Sequence, residues 1–212
     1  MSSDPYSAAV VFPTSERHRV SVILRIMETT INHLTMEQLE AGLDHIRQSP
    51  KDEGQVQLIV RRPLVDVREV LEEAELSTTD GLIGDSWNQR SSSKTVDGSP
   101  HPEMQINIMN ARAVALVAQE KDRWQLAGDQ LFIDMDLGKA NLPAGARISI
   151  GTAVLEVTAP PHTGCQKFVA RFGREAMLFV NSQVGKELCL RGINAKVVQS
   201  GVIRVGQVAK KI

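Results

Sequence analysis

Short segments in which apolar and polar residues alternate recur along the chain, with turn residues between them. Val56, Leu58 and Val60 alternate with polar neighbours before Pro63, and this period of two predicts a strand. The segment MQINIMN alternates in the same way. Many short strands separated by Gly and Pro turns are typical of a barrel or curled sheet, and not of alternating β-α units.

The second half of the chain, from Gly128 onward, carries most of these segments. The pattern predicts strands at residues 147–150 and 153–158, joined by the tight turn Gly151-Thr152. Further strands are predicted in GINAKVVQSG and VIRVGQV, and one helical interruption in REAMLFVNSQVGKEL. We therefore expect a mostly β domain with peripheral helices, which is an α+β fold built around a β-barrel.

The first half contains the clearest helix signal, LTMEQLEAGLDHIRQSP. Thr35 is a candidate N-cap with Gln38 three residues later, as in a capping box, and Pro50 stops the helix. The segment ARAVALVAQEKDRW is also helical in pattern, whereas VSVILRIMETTI fits a strand or a helix. We expect residues 1–54 to form a helical extension that packs on a barrel of residues 55–212.

Composition excludes some classes of function. The 24 Lys and Arg residues nearly balance the 25 Asp and Glu residues, and only 4% of the chain is aromatic. A broad basic surface or an aromatic stacking platform for nucleic acid is therefore not expected. No apolar run approaches the roughly 20 residues of a membrane helix, and the first residues lack a signal-peptide pattern. We expect a cytoplasmic protein without nucleic-acid or membrane partners.

The segment PPHTGCQKF is the main candidate for chemistry. Two prolines forbid a continued central strand, and Gly164 permits a sharp turn just before Cys165. His162 and Lys167 are nearby sources of positive charge, which favours the reactive thiolate form of a cysteine. A thiol at such a rim is well placed to attack a persulfide or to bind a soft metal.

Other roles for Cys165 remain open on these residues alone. It could be a small buried apolar side chain, as free cysteines often are. It could form a disulfide with Cys189, although a reducing compartment argues against this and Cys189 is flanked by leucines as in a core. A zinc site is a third alternative, but His162-x-x-Cys165 supplies only two ligands and no second pair follows at ligand spacing.

Several segments in order resemble the MOSC domain, the C-terminal module of molybdenum cofactor sulfurases. They are GLIGD, GDQLF, IGTAVLEVTAPPHTGCQKF and RGINAKVVQSGVIRVG, which together cover roughly residue 81 to the end of the chain. The resemblance favours a strand over the locally helical pattern of VDVREVLEEAEL. Two positions depart from the family: His162 and Gly164 stand where many members have arginine and proline, and Gly206-Gln207 replaces a Gly-Asp pair.

The resemblance implies a β-barrel that binds the pterin-based molybdenum cofactor (molybdopterin) or carries its sulfur. Cys165 takes the place of the family cysteine, as molybdenum ligand or persulfide carrier. Arg191 matches the family's Arg-Gly, and the cofactor-binding set expected with it lies close in sequence: Lys167, His162, Thr163 and Asn194. Arg90 and Lys94, on the long polar loop, could close over a ligand.

The resemblance leaves the activity open. The chain could be a molybdenum-dependent oxidoreductase that reduces N-hydroxylated compounds with electrons from a separate protein. It could instead be a non-catalytic sulfur-transfer module for cofactor assembly. The chain shows no pyridoxal-phosphate desulfurase domain, so a cysteine desulfurase would be a separate partner in that case.

Overall fold

Seven strands close into a barrel in the computed structural model, which describes residues 32–92 and 94–212. The strands of the fold are β1 (Glu53–Arg61), β2 (Glu69–Leu71), β3 (Glu73–Ser77), β4 (Gly81–Leu82), β5 (Ile106–Asn110), β6 (Leu131–Asp134), β7 (Arg147–Ile150), β8 (Ala153–Val157), β9 (Ile193–Gln199), β10 (Gly201–Arg204) and β11 (Val208–Lys211). Around the barrel the order is β1-β11-β7-β8-β9-β5-β6 and back to β1. The predicted mostly β barrel with peripheral helices is confirmed.

Strand β1 closes the barrel because it pairs on both sides. Its first residues pair antiparallel with β11, its middle pairs with β6, and its end also pairs with β2. The other barrel pairs are antiparallel except β5 and β6, which run parallel. Strands β10, β3 and β4 form a small second sheet.

A β-bulge in β1 divides its apolar residues between two cores. The pairing with β6 shifts register between Val56 and Leu58, and such a bulge turns the following side chains to the other face. Val56 and Ile59 therefore lie in the barrel interior, whereas Leu58 and Val60 pack in the outer core beneath the helices. The strand predicted from the alternation of Val56, Leu58 and Val60 is confirmed, although the bulge divides these residues between the two cores.

The helices cover one side of the barrel and complete the outer core. They are α1 (Met36–Ala41), α2 (Leu43–Arg47), α3 (Ala111–Ala118), α4 (Gln166–Asn181) and α5 (Gln183–Glu187). The predicted capping box of α1 is confirmed: the Thr35 side chain accepts from the Gln38 amide, and the Gln38 side chain accepts from the Thr35 amide. Helix α4 begins eight residues before the predicted Arg174, and Gly173 interrupts it with a positive φ of 89°.

Two ambiguous segments have different outcomes. VDVREVLEEAEL forms strands β2 and β3, as the family resemblance favoured and against the local helical pattern. VSVILRIMETTI lies outside the described residues. Residues 33–212 form one compact unit. The expected division between residues 54 and 55 stays a prediction. None of the helices in the described part of the chain combines the length and apolar character that a membrane crossing requires.

Candidate functional site

Cys165 stands at the start of α4, on an irregular segment that follows β8. Hydrogen bonds fix this segment from both sides: the Asn194 side chain donates to the Pro160 carbonyl at 2.9 Å, and the Gly164 amide donates to the Asn181 side chain at 2.9 Å. The Cys165 carbonyl accepts the first helical hydrogen bonds, from Phe168 and Val169. The cysteine is exposed. The fold therefore presents its thiol to solvent on a segment with a defined conformation.

A buried ion pair lies behind this segment. Arg191 donates through one terminal nitrogen to both carboxylate oxygens of Asp129, at 2.7 and 3.0 Å, and through the other to the Ala127 carbonyl. Both side chains are buried, and burial raises the pKa of Asp129 against the opposing effect of Arg191. The Nε of Arg191 is also buried and has no hydrogen-bond partner. Much of the Arg191 charge is thus already compensated.

His162 packs against the same pair as a neutral ring. Its Nδ1 lies 3.3 Å from an Asp129 oxygen, yet this contact does not have hydrogen-bond geometry. Burial, followed by the charges of Arg191, Arg62 and Lys94, holds the pKa of His162 well below 6.5. Because the imidazole is neutral, the contact with Asp129 is not an ion pair. The expectation that His162 supplies positive charge beside Cys165 is wrong for this reason.

A second buried ion pair lies beneath the cysteine-bearing segment. Asp85 accepts from Arg62 through both the guanidinium and the backbone amide. Arg62 also donates to Asn107, and Asn107 donates to Asn194 at 2.6 Å. A continuous polar chain therefore runs from Asp85 to the Pro160 carbonyl beneath the cysteine segment, and such networks fix side-chain positions when every member is satisfied.

An ion cluster at the surface links α4 to the loop between β1 and β2. Lys167 and Arg171 both contact Oδ1 of Asp66, at 3.3 and 2.9 Å. Lys167 holds the pKa of Asp66 below its usual range, although all three groups reach solvent. Lys167 is two residues beyond Cys165, so this loop lies beside the cysteine-bearing end of the helix.

Three further cations near this region have no carboxylate partner within the described residues: Arg68, Arg90 and Lys94. Arg68 donates only to the Val67 carbonyl, and its buried Nε has no partner. Burial, followed by the charges of Arg171, Arg62 and Arg90, lowers the pKa of Arg68. Arg90 donates to the Ser86 hydroxyl. This uncompensated positive charge makes the region suitable for an anion.

A cavity of about 600 Å³ opens on the other side of His162. His162, Thr163, Arg191 and Asn194 contribute to its wall, whereas Cys165 and Lys167 do not. The structure thus brings four of the six expected site residues to one cavity and leaves the other two on the adjoining outer surface. The assignment of these residues to a cofactor stays a prediction.

The remaining expectations differ in outcome. Cys165 and Cys189 are both free thiols, so the disulfide alternative is wrong in this structure. Cys189 was expected to pack in the core: it is half-buried, packs against the barrel core and also lines the cavity, in a turn before β9 where its φ is 49°. In the described ranges, no group of three or more His, Cys, Asp or Glu side chains is arranged to hold a metal. A metal at Cys165 would have to bring most of its own ligands.

Sequence reasoning missed Arg62, Arg68 and the role of Asp129. Arg62 follows the apolar run of β1. The sequence indicates that the strand ends there, but it does not show which carboxylate pairs with the buried guanidinium. Arg68 is a single cation in a loop and carries no local signal. Only the three-dimensional arrangement places these groups around one region.

Comparison with known sequences decides the family. A sequence profile of the MOSC domain matches residues 96–210, which is more than half of the chain. The chain belongs to the MOSC domain family. The match includes Cys165, Arg191 and the strands of the barrel from β5 onward. No curated protein sequence matches the chain.

Solved structures are similar to this MOSC domain at low sequence identity. The YUAD protein from Bacillus subtilis is 16% identical, with a TM-score of 0.53 over 75% of this chain and 95% of the other. YiiM from Escherichia coli is 18% identical, with a TM-score of 0.48 over 74% and 69%. At such identities, the likeness to the Bacillus protein supports the shared fold alone.

Proposed function

We propose that this MOSC domain binds the molybdenum cofactor, with the Cys165 thiolate as a ligand of the metal. The observation that carries the proposal is an exposed thiol on a fixed segment, two residues before Lys167, which contacts Asp66. The loop of Asp66 also carries Arg68, which has no carboxylate partner among the described residues. A soft thiolate suits molybdenum, and the dithiolene of the pterin would supply the further ligands that the protein does not offer.

The charges of the site fit the anionic end of such a cofactor. A phosphate group favours Arg and Lys side chains that are free to donate hydrogen bonds. Arg68, with its unpartnered Nε, Arg90 and Lys94 meet this condition best. Arg191 and Lys167 already face Asp129 and Asp66. In this proposal they position the surrounding segments, and the cofactor takes the unpaired cations.

The chemistry of the bound cofactor would be two-electron redox chemistry at the metal. On the basis of the family resemblance, the substrates would be N-hydroxylated compounds, and a separate protein would supply the electrons. The contribution of this chain would be binding and orientation by the fixed Pro160–Cys165 segment. His162, as a neutral ring at the back of that segment, adds no charge to the site.

Metal analysis of protein produced in a cofactor-competent host tests this proposal. We expect molybdenum and pterin to copurify with the wild-type protein, and Cys165→Ala to lose most of the molybdenum. Cys189→Ala, which removes a thiol away from the cation group, is the matched control and should keep the metal. Wild-type protein without molybdenum or pterin would contradict the proposal, as would a Cys165→Ala variant that retains both.

A second candidate function is favoured by the position of Cys165 outside the cavity. An exposed thiol can meet a protein-bound persulfide directly, which a ligand at the bottom of a pocket cannot do. The Cys165 thiolate would attack the outer sulfur of a donor persulfide. The S–S bond of the donor breaks, Cys165 becomes the persulfide, and the donor leaves as its thiolate.

Mass spectrometry after incubation with a pyridoxal-phosphate cysteine desulfurase and cysteine distinguishes the two candidates. A carrier gains one sulfur atom on Cys165 without bound molybdenum, and Cys165→Ala gains none. Sulfur on Cys189 alone would contradict carriage by Cys165. Molybdenum content measured on the same preparation reports separately on cofactor binding.

A further inference from the structure

The cavity beside His162 has the size and the walls of a small-molecule site. Its volume of about 600 Å³ lies within the usual range for ligand pockets, roughly 300–1,000 Å³. Most of its lining atoms are apolar and come from three segments, namely residues 142–144, 157–161 and 192–193, with Val180 from α4. Cys165 and the unpaired cations of the proposed cofactor site do not contribute to it. The cavity therefore shares the segment Pro160–Thr163 and Arg191 with the proposed cofactor site, but it excludes the thiol and the unpaired cations.

Two lysines stand at the edge of this apolar cavity. Lys139 and Lys186 are exposed, and neither ammonium pairs with a carboxylate among residues 32–92 and 94–212. The Lys139 amide donates to the Glu187 carbonyl at 3.0 Å, which joins the two lysine-bearing segments across the cavity edge. Positive charge at the rim of an apolar cavity favours a molecule with an apolar body and a negative end.

The inner wall includes a buried arginine, and one nitrogen of its guanidinium has no hydrogen-bond partner among the described residues. The Arg191 side chain is only 7% exposed and lines the cavity, and its Nε is the one donor of this guanidinium that is buried and unsatisfied. A buried donor without an acceptor costs about 1–3 kcal/mol. Because this nitrogen is closed to solvent, the groups that can meet the negative end of a bound molecule are the two lysines at the edge of the cavity.

Cys189 provides a reporter on the same wall. It is half-buried, and burial raises the pKa of its thiol. A molecule in the cavity would cover it. Its reaction with a thiol reagent therefore measures occupancy of the cavity without any need for cofactor or for enzymatic turnover.

We propose that this cavity binds a small organic anion with an apolar body, of which an aromatic carboxylate is the simplest form. The apolar part lies against Pro143, Val157 and Ile193, and the negative group faces Lys139 and Lys186. The cavity shares a wall with the proposed cofactor site, but binding to it does not require molybdenum. Apoprotein made without molybdenum contains it in full.

Calorimetric titration of Cys165→Ala apoprotein with 2-naphthoate and with decanoate tests the proposal. At least one of the two probes is expected to bind and to slow the alkylation of Cys189 by N-ethylmaleimide in proportion to occupancy. The neutral 2-naphthamide and decanamide are expected to bind at least about fivefold more weakly than the corresponding acids, because they lack the charge that the lysines attract.

Variants of the rim lysines complete the test. Each of Lys139→Gln and Lys186→Gln is expected to weaken binding about threefold, and the double variant about tenfold, as for exposed charge pairs. Lys121→Gln, at an exposed position over Trp124 of the outer core, is the matched control and should bind as the parent does. The proposal is overturned if neither acid binds. It is also overturned if binding leaves Cys189 alkylation unchanged, or if the double variant and the parent bind equally.

Discussion

The buried His162 predicts a specific dependence of stability on pH. Its side chain is 13% exposed, and burial together with Arg191, Arg62 and Lys94 keeps its folded-state pKa well below 6.5. As the pH falls below about 6.5, the unfolded chain binds a proton at this residue, whereas the folded chain does not. Protonation then favours the unfolded state. His162 therefore stabilises the fold fully at higher pH, and this contribution is lost as the pH falls.

The size of this loss of stability follows from proton linkage. A difference of one bound proton changes the free energy of unfolding by about 1.4 kcal/mol per pH unit. With an unfolded pKa near 6.5, the loss between about pH 7 and pH 5 has an upper limit of about 2 kcal/mol, which is reached when the folded chain binds no proton at His162 in this range. The carboxyl groups of the protein also titrate near this range. Only a comparison with a variant isolates the histidine.

The assay is urea unfolding followed by tryptophan fluorescence, on wild type and His162→Gln, at several pH values between about 5 and 7. The advantage of the wild type over the variant is expected to shrink as the pH falls, by up to about 2 kcal/mol across this range. His45→Gln, at an exposed position, is the matched control and is expected to keep the wild-type pH profile. If the free energies of unfolding of wild type and His162→Gln change in parallel with pH, the prediction that His162 is buried as a neutral ring is refuted.

Two further predictions concern the other buried pair and the thiols. Asp85→Asn leaves the buried Arg62 guanidinium without its carboxylate and is expected to lower the free energy of unfolding by about 3–5 kcal/mol in urea titrations, whereas a loss below about 1 kcal/mol would contradict a buried pair. Iodoacetamide near neutral pH is expected to modify the exposed Cys165 well before Cys189, because burial raises the pKa of the Cys189 thiol. Peptide mapping over time checks the order, and earlier labelling of Cys189 would contradict it.

The sequence was sufficient for the elements with strong local signals. The alternation around residues 106–110 and 147–157 marks strands because one face of each strand packs in the barrel. The capping box at Thr35 depends on side chains three residues apart, so it is visible in the sequence. The barrel with its peripheral helices was predictable from many such strands together with the order of family-like segments.

The parts that escaped prediction depend on contacts between distant residues. The bulge between Val56 and Leu58 arises from pairing with β6 and reverses the faces of β1. The first part of α4 does carry Phe168 and Phe172 at helical spacing, and both pack in the outer core, but Gly173 with its positive φ separates this part from the predicted helix. Charge compensation is equally non-local, since the partners of Arg191 and Arg62 lie 62 and 23 positions away. A list of cations in a sequence therefore does not show which of them remain available to a ligand.

The pairing of β1 with β11 has a consequence for synthesis of the protein. The barrel has no closed form until Val208–Lys211 has emerged from the ribosome, because this strand fills the gap between β1 and β7. Contacts between segments so far apart in the chain form slowly, and the nascent chain meanwhile exposes unpaired strand edges. Chaperone binding during translation should therefore continue until this final strand is released.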